Sequence, residues 1–130
     1  MSRTSSTIWL PRSRRSPGEA RHRLSSLLAD TPGGDRFRDS GLLAVSELVT
    51  NAVQHGTPAG YLIYLALDLT PARLRIEVHD ACRDREPALS APGLDDEAGR
   101  GLQLVKSLST RWGCCPRQPT GKIVWCEVAA

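Results

Sequence analysis

Ser46-Glu47-Leu48-Val49-Thr50-Asn51-Ala52-Val53-Gln54-His55-Gly56 is the stretch on which the fold turns. Glu47, Asn51 and His55 recur every four residues, a spacing that stacks them on one face of a helix. Leu42, Val45, Leu48, Val49, Ala52 and Val53 occupy the opposite arc. One helix thus offers an apolar stripe to a core and a carboxylate–amide–imidazole row to something polar. A carboxylate beside an amide oxygen suits a hard cation such as Mg²⁺ and the activation of a hydroxyl or water. Taken alone, the row reads as an ordinary solvated face. Its companions elsewhere in the chain decide the matter.

Working outward, the spacing predicts this helix from about Asp35 to His55, stopped by Gly56 and Pro58. Thr31-Pro32-Gly33-Gly34 breaks it from an earlier helix that runs to about Asp30. Ser16 is the candidate N-cap of that earlier helix and Pro17 its first helical residue. Ser6–Leu10 is a short predicted strand, and 1–15 reads as an arm. Beyond Gly56 the period changes. Tyr61–Leu69 is strand-like, Thr70-Pro71-Ala72 is a turn, and Arg73–Asp80 alternates strictly with Leu74, Ile76 and Val78 on one face. Residues 81–98 carry Pro87, Pro92, Gly93 and five acids without any period, and read as a long functional loop. Helix returns at Leu102–Leu108, opened by Gly99-Arg100-Gly101, and Lys122–Val128 is a last strand. The order predicts an α+β, two-layer α/β sandwich. Its sheet is mainly antiparallel but mixed, covered on one face by about three helices.

At 130 residues, 40% of them hydrophobic, the chain is expected to form a single domain with a real core. The net charge of +3 is uneven, because residues 1–38 hold eight arginines against three acids. Only Trp9 and Phe37 interleave those arginines, so no direct contact with nucleic acid is expected. The four cysteines, Cys82, Cys114, Cys115 and Cys126, fit no Cys-x-x-Cys pattern and read as reduced thiols, with a Cys82–Cys114 disulfide left open. No apolar run reaches the roughly 20 residues that span a bilayer, and no secretory leader is evident, so a cytoplasmic protein without membrane contact is expected.

Two further segments join the helix. Asp80 ends the alternating strand, where a carboxylate can accept a hydrogen bond from an exocyclic amine. Gly99-Arg100-Gly101-Leu102 opens a helix, where free amides and the helix dipole favour phosphate. His55, next to the helix-ending glycine, reads as a capping or packing residue. Trp112 and Trp125 read as core or edge packing, and His79 as an outward residue without a role.

The order of SELVTNAVQHG (46–56), IEVHD (76–80), GRGLQLV (99–105), RWG (111–113) and GKIVWCEV (121–128) resembles the Bergerat-fold, histidine-kinase-like ATPases. Within them it is most similar to stand-alone anti-sigma-factor serine/threonine kinases of actinobacterial type, from about Ser6 to Val128. The resemblance implies ATP and Mg²⁺ as cofactors. It implies Asn51 as the Mg²⁺ ligand, Glu47 as the residue that polarises an attacking serine hydroxyl, and Asp80 as the reader of adenine. Gly99, Arg100, Gly101 and Leu102 would hold the phosphates, and 81–98 would be the nucleotide lid. The implied partners are a sigma factor and a small antagonist protein that receives the phosphate, with a second copy in a homodimer as another. Two departures stand out. Asp80-Ala81-Cys82-Arg83-Asp84 lacks the first glycine box of many relatives, and Ile123 stands where many carry a threonine or serine near adenine. They leave a second reading, a partner-binding switch that binds ATP without catalysis or not at all.

Overall fold

Alternation decides the sheet. Arg73–Asp80 is strand over its whole length, with Leu74, Ile76, Val78 and Asp80 buried on one face. In the computed structural model it is the central strand of five, in the order β1-β2-β3-β5-β4. The strands are β1 (Thr4–Leu10), β2 (Ile63–Leu69), β3 (Arg73–Asp80), β4 (Arg111–Pro116) and β5 (Lys122–Ala129). The helices are α1 (Ser16–Ala29), α2 (Arg38–Asn51) and α3 (Asp96–Leu108). The structure describes residues 3–56, 60–81, 96–116 and 121–130; the side chains of 56 and 96–101 fall outside it. Cys82 and nearly all of the expected 81–98 lid lie outside the described residues.

The α+β sandwich stands, but every pairing among the described strands is antiparallel, so the mixed sheet does not appear. The helices explain this. α1 and α2 carry the chain away from the end of β1 and back, so β2 starts where β1 stopped, with Leu10 opposite Ile63. β2 and β3 form a hairpin whose turn is tied by Thr70. Its hydroxyl accepts from the amides of Ala72 and Arg73, each at 3.2 Å. The helices cover one face, with α2 packed against α1 on one side, α3 on the other and the sheet beneath. Leu24, Leu28, Phe37, Val45, Leu48, Leu65, Leu67, Ile76 and Cys126 fill that layer. Burial pushes the Cys126 thiol up to about 11, so it stays protonated and inert at neutral pH.

Element ends depart from expectation for local reasons. Ser16 lies inside α1 and does not cap it; the cap position is Arg15, with no side-chain cap. The Ser16 hydroxyl is drawn inward instead, donating at 2.6 Å to the Pro11 carbonyl. The long second helix divides into a 3₁₀ turn (Gly34–Phe37), α2, and a π turn (Ala52–Gly56). β2 starts at Ile63, leaving Tyr61 and Leu62 exposed, because Pro11 cannot extend β1 beside them. Arg111–Pro116 pairs with β5 as β4, so the closing segment, expected to hold one or two strands, holds two.

Candidate functional site

Chain direction brings the predicted site segments to one end of the sheet. α2 finishes there at Asn51, β3 finishes at Asp80, β5 begins at Lys122 and α3 begins at Asp96. The π turn that follows α2 touches β3.

Around α2, three flanks have separate tasks. Ala44, Val45, Leu48, Val49 and Ala52 are buried against the sheet. Ser46, Thr50, Val53 and Gln54 line a groove shared with α1. Glu47 and Asn51 follow Ser46 and Thr50 by one residue, about 100° round the helix, which turns them to the flank where α3 packs. Both are half-buried. His55 lies beyond α2, in the π turn of Ala52–Gly56.

Asp80 is 1% exposed and points to the helix-covered face, in phase with Leu74, Ile76 and Val78. Directly opposite it on β5 is Lys122, also buried. The ammonium lies 3.4 Å from one Asp80 carboxylate oxygen and 3.3 Å from the other. The sequence reading missed this partner. The signal was present: Lys122, Val124, Cys126 and Val128 share a phase, and a lysine in an apolar phase calls for a carboxylate. The same alternation puts Ile123 on the open face, opposite His79. Its missing hydroxyl is therefore on the far side of the sheet from the Asp80 side chain, and Lys122 holds the neighbouring position.

α3 reaches back to Asp96, so Gly99, Arg100 and Gly101 lie within it and do not precede it. The amides without intrahelical acceptors fall about three residues earlier than the sequence suggested. Leu102 is buried on the same helix.

The model of the histidine kinase-like ATPase domain matches residues 10–127. The chain belongs to this family. This histidine kinase-like ATPase domain is also similar to the crystal structure of the RsbU and RsbW domains of Rv1364c from Mycobacterium tuberculosis, with a TM-score of 0.71 at 20% identity. That match covers 97% of this chain and 32% of the other, so the chain spans about a third of that protein's length and the likeness is one of fold. Comparison with curated protein sequences finds no significant match. Membership of the ATPase domain family implies ATP as the ligand.

The residues present fit such a ligand. A buried carboxylate, paired with Lys122, ends β3, and a carboxylate and an amide stand one turn apart on α2, groups of the kinds that would meet a base and a cation. Among the described residues no three His, Cys, Asp or Glu side chains gather as a metal cage.

Two other surfaces of the ATPase domain are rich in charge. The α1–α2 groove, about 900 Å³, is lined by Arg14, Arg15, Arg21, His22 and Arg23 against the single acid Glu19. No described helix is long and apolar enough to cross a membrane. The open sheet face carries an ion lattice in which Arg75 bridges Glu77 (2.8 Å) and Glu127 (2.9 Å). There Trp125 lies between the guanidiniums of Arg75 and Arg111, at 4.2 and 5.6 Å, so its packing is on this open face. His79, expected to lack a role, pairs with Glu77 at 3.0 Å and meets Tyr64 edge-on.

Proposed function

We propose that this domain is a cytoplasmic, ATP-dependent serine/threonine protein kinase of the anti-sigma type. It would phosphorylate a serine of a small antagonist protein and sequester a sigma factor. The observation that carries the reading is the convergence of Glu47 and Asn51 with Asp80 at one end of the sheet, under a family that binds ATP. Asp80 accepts from the base, and the free amides of the first turn of α3, up to about Gly99, receive the phosphates, with Arg100 adding charge from the next turn. Mg²⁺ held by Asn51 and the phosphates would neutralise charge as the phosphoryl group moves. Glu47, one helical turn before Asn51, orients and polarises the serine hydroxyl. The arginine-lined groove suits an acidic face of a protein partner.

The test is transfer of label from γ-labelled ATP, with Mg²⁺, to the antagonist protein. Glu47→Gln is expected to lower transfer at least about 100-fold, the usual scale of a lost general base, while ATP still binds. Label transfer that is undiminished in Glu47→Gln sinks the kinase assignment. The second reading, a switch that binds a partner without catalysis, is favoured by one observation. Asp80-Ala81-Cys82-Arg83-Asp84 carries no glycine where many relatives have their first glycine box. ATP binding and sigma-factor capture without any transfer would establish it.

A further inference from the structure

We infer that Lys122 is a base-specificity residue, and that the Asp80–Lys122 pair lets the site accept 6-oxopurine as well as 6-aminopurine nucleotides. This rests on the nucleotide reading above. The pair is built into the backbone. Asp80 and Lys122 are direct partners across β3 and β5, both on the helix-covered face and both buried. Gly121, just before Lys122, has φ +101°, and a Cβ there would run into the Asp80 carbonyl. Glycine at 121 lets β5 begin hard against the end of β3, which sets the ammonium 3.3–3.4 Å from both carboxylate oxygens. Lys122 has three N–H donors and, among the described residues, no acceptor other than Asp80.

The chemistry follows from what a purine edge presents. Adenine offers an amino donor at N6 beside an acceptor at N1. Hypoxanthine offers an acceptor at O6 beside a donor at N1. A lone carboxylate set against N6 meets the lone pairs of O6 in hypoxanthine, and when shifted to N1–H it leaves O6 without a donor. A carboxylate with an ammonium beside it completes both edges: the carboxylate accepts from N6 or from N1–H, and the ammonium donates to N1 or to O6. Lys122 also supplies the donor that a hydroxyl gives in many relatives and that Ile123, on the other face, does not. Stability alone is a poor reason for the pair, since buried ion pairs contribute little beyond an apolar pair of equal volume.

The experiment is calorimetric titration of the full chain with ATP and with ITP, the hypoxanthine analogue, each with Mg²⁺. In the unaltered chain the two dissociation constants are expected within about tenfold of each other. In Lys122→Met, ITP should weaken by a further tenfold to hundredfold or so relative to ATP, the scale of one lost charge-assisted hydrogen bond. Lys122→Gln keeps a donor and should retain part of the ITP affinity. Circular dichroism checks that the variants fold. If Lys122→Met does not, the unaltered chain and the glutamine variant decide. Binding of ATP with ITP more than about a hundredfold weaker in the unaltered chain overturns the inference and leaves the nucleotide reading intact. Equal weakening of both ligands in the folded methionine variant does the same, because it shows that Lys122 does not choose between the bases. Failure of the unaltered chain to bind either nucleotide overturns the nucleotide reading, and this inference with it.

Discussion

Ser16, Lys122 and Ile123 each owe their role to what faces them across the fold. Ser16 stands where a capping serine belongs, one residue before a proline, yet its hydroxyl is fully buried and donates to the Pro11 carbonyl. That bond ties the end of β1 to the start of α1. Ser16→Ala would leave a carbonyl without its donor and is expected to cost about 1–3 kcal/mol in urea denaturation. A loss under about 0.5 kcal/mol would return Ser16 to the status of a surface residue. For Lys122 and Ile123, the residue types were legible and their alternation was legible. What sequence did not supply was the strand register. That register sets Lys122 against Asp80 and Ile123 against His79.

At the scale of the element, α2 was the most readable part of the chain. Its period assigned Leu42, Val45, Leu48, Val49, Ala52 and Val53 to the core and Glu47 and Asn51 to a polar flank; Val45, Leu48, Val49 and Ala52 are buried, while Leu42 and Val53 pack partly buried at the edge and Glu47 and Asn51 are half-buried. Its limits were less readable, because they are set by packing. Gly41, at the end of the first turn of α2, is an example: within a helix, glycine carries a propensity cost of about 1 kcal/mol relative to alanine. It is tolerated because a Cβ there would lie 2.8 Å from Leu74 Cδ2 and 3.3 Å from Leu24 Cδ2. α2 thereby approaches both the sheet and α1 closely. Gly41→Val should therefore destabilise by about 1–3 kcal/mol through overpacking, measured by thermal or urea unfolding. A neutral or stabilising result would mean that the helix can ride up without loss. The early start of α3 at Asp96 had no such signal, since a Gly-x-Gly reads as an entry to a helix more readily than as part of one.

For the molecule as a whole, the open face of the sheet is held by charge. Burial raises the Asp68 carboxyl, but hydrogen bonds from Arg3 and Ser5 and the charges of Arg3 and Arg73 outweigh it, leaving it below its ordinary 3.8. Burial likewise raises Glu77, and Arg75 and His79 outweigh it, leaving it below its ordinary 4.5. Both folded-state values are depressed, so both groups bind protons more readily in the unfolded chain. Their contribution is present above about pH 5 and is lost as pH falls through the folded values. Urea midpoints measured from pH 7 down to pH 3 should fall steeply on the acid side. The Asp68→Asn, Glu77→Gln double variant should be less stable at pH 7 and show a shallower fall. Parallel curves for the two proteins would remove these carboxylates from the acid response.

By itself, the sequence determined the local identities of this protein. Helix period, strand alternation and turn residues are short-range properties, and the ordered motifs within them mark a histidine kinase-like ATPase domain across residues 10–127. Tertiary structure decided the pairings. It made the sheet wholly antiparallel, set α2 between α1 and α3, and buried Lys122 beside Asp80 at the end where α2 and α3 converge. The physical reason is that register and helix packing are fixed by fitting buried surfaces from distant parts of the chain together. A lysine can tell only there which carboxylate it will meet.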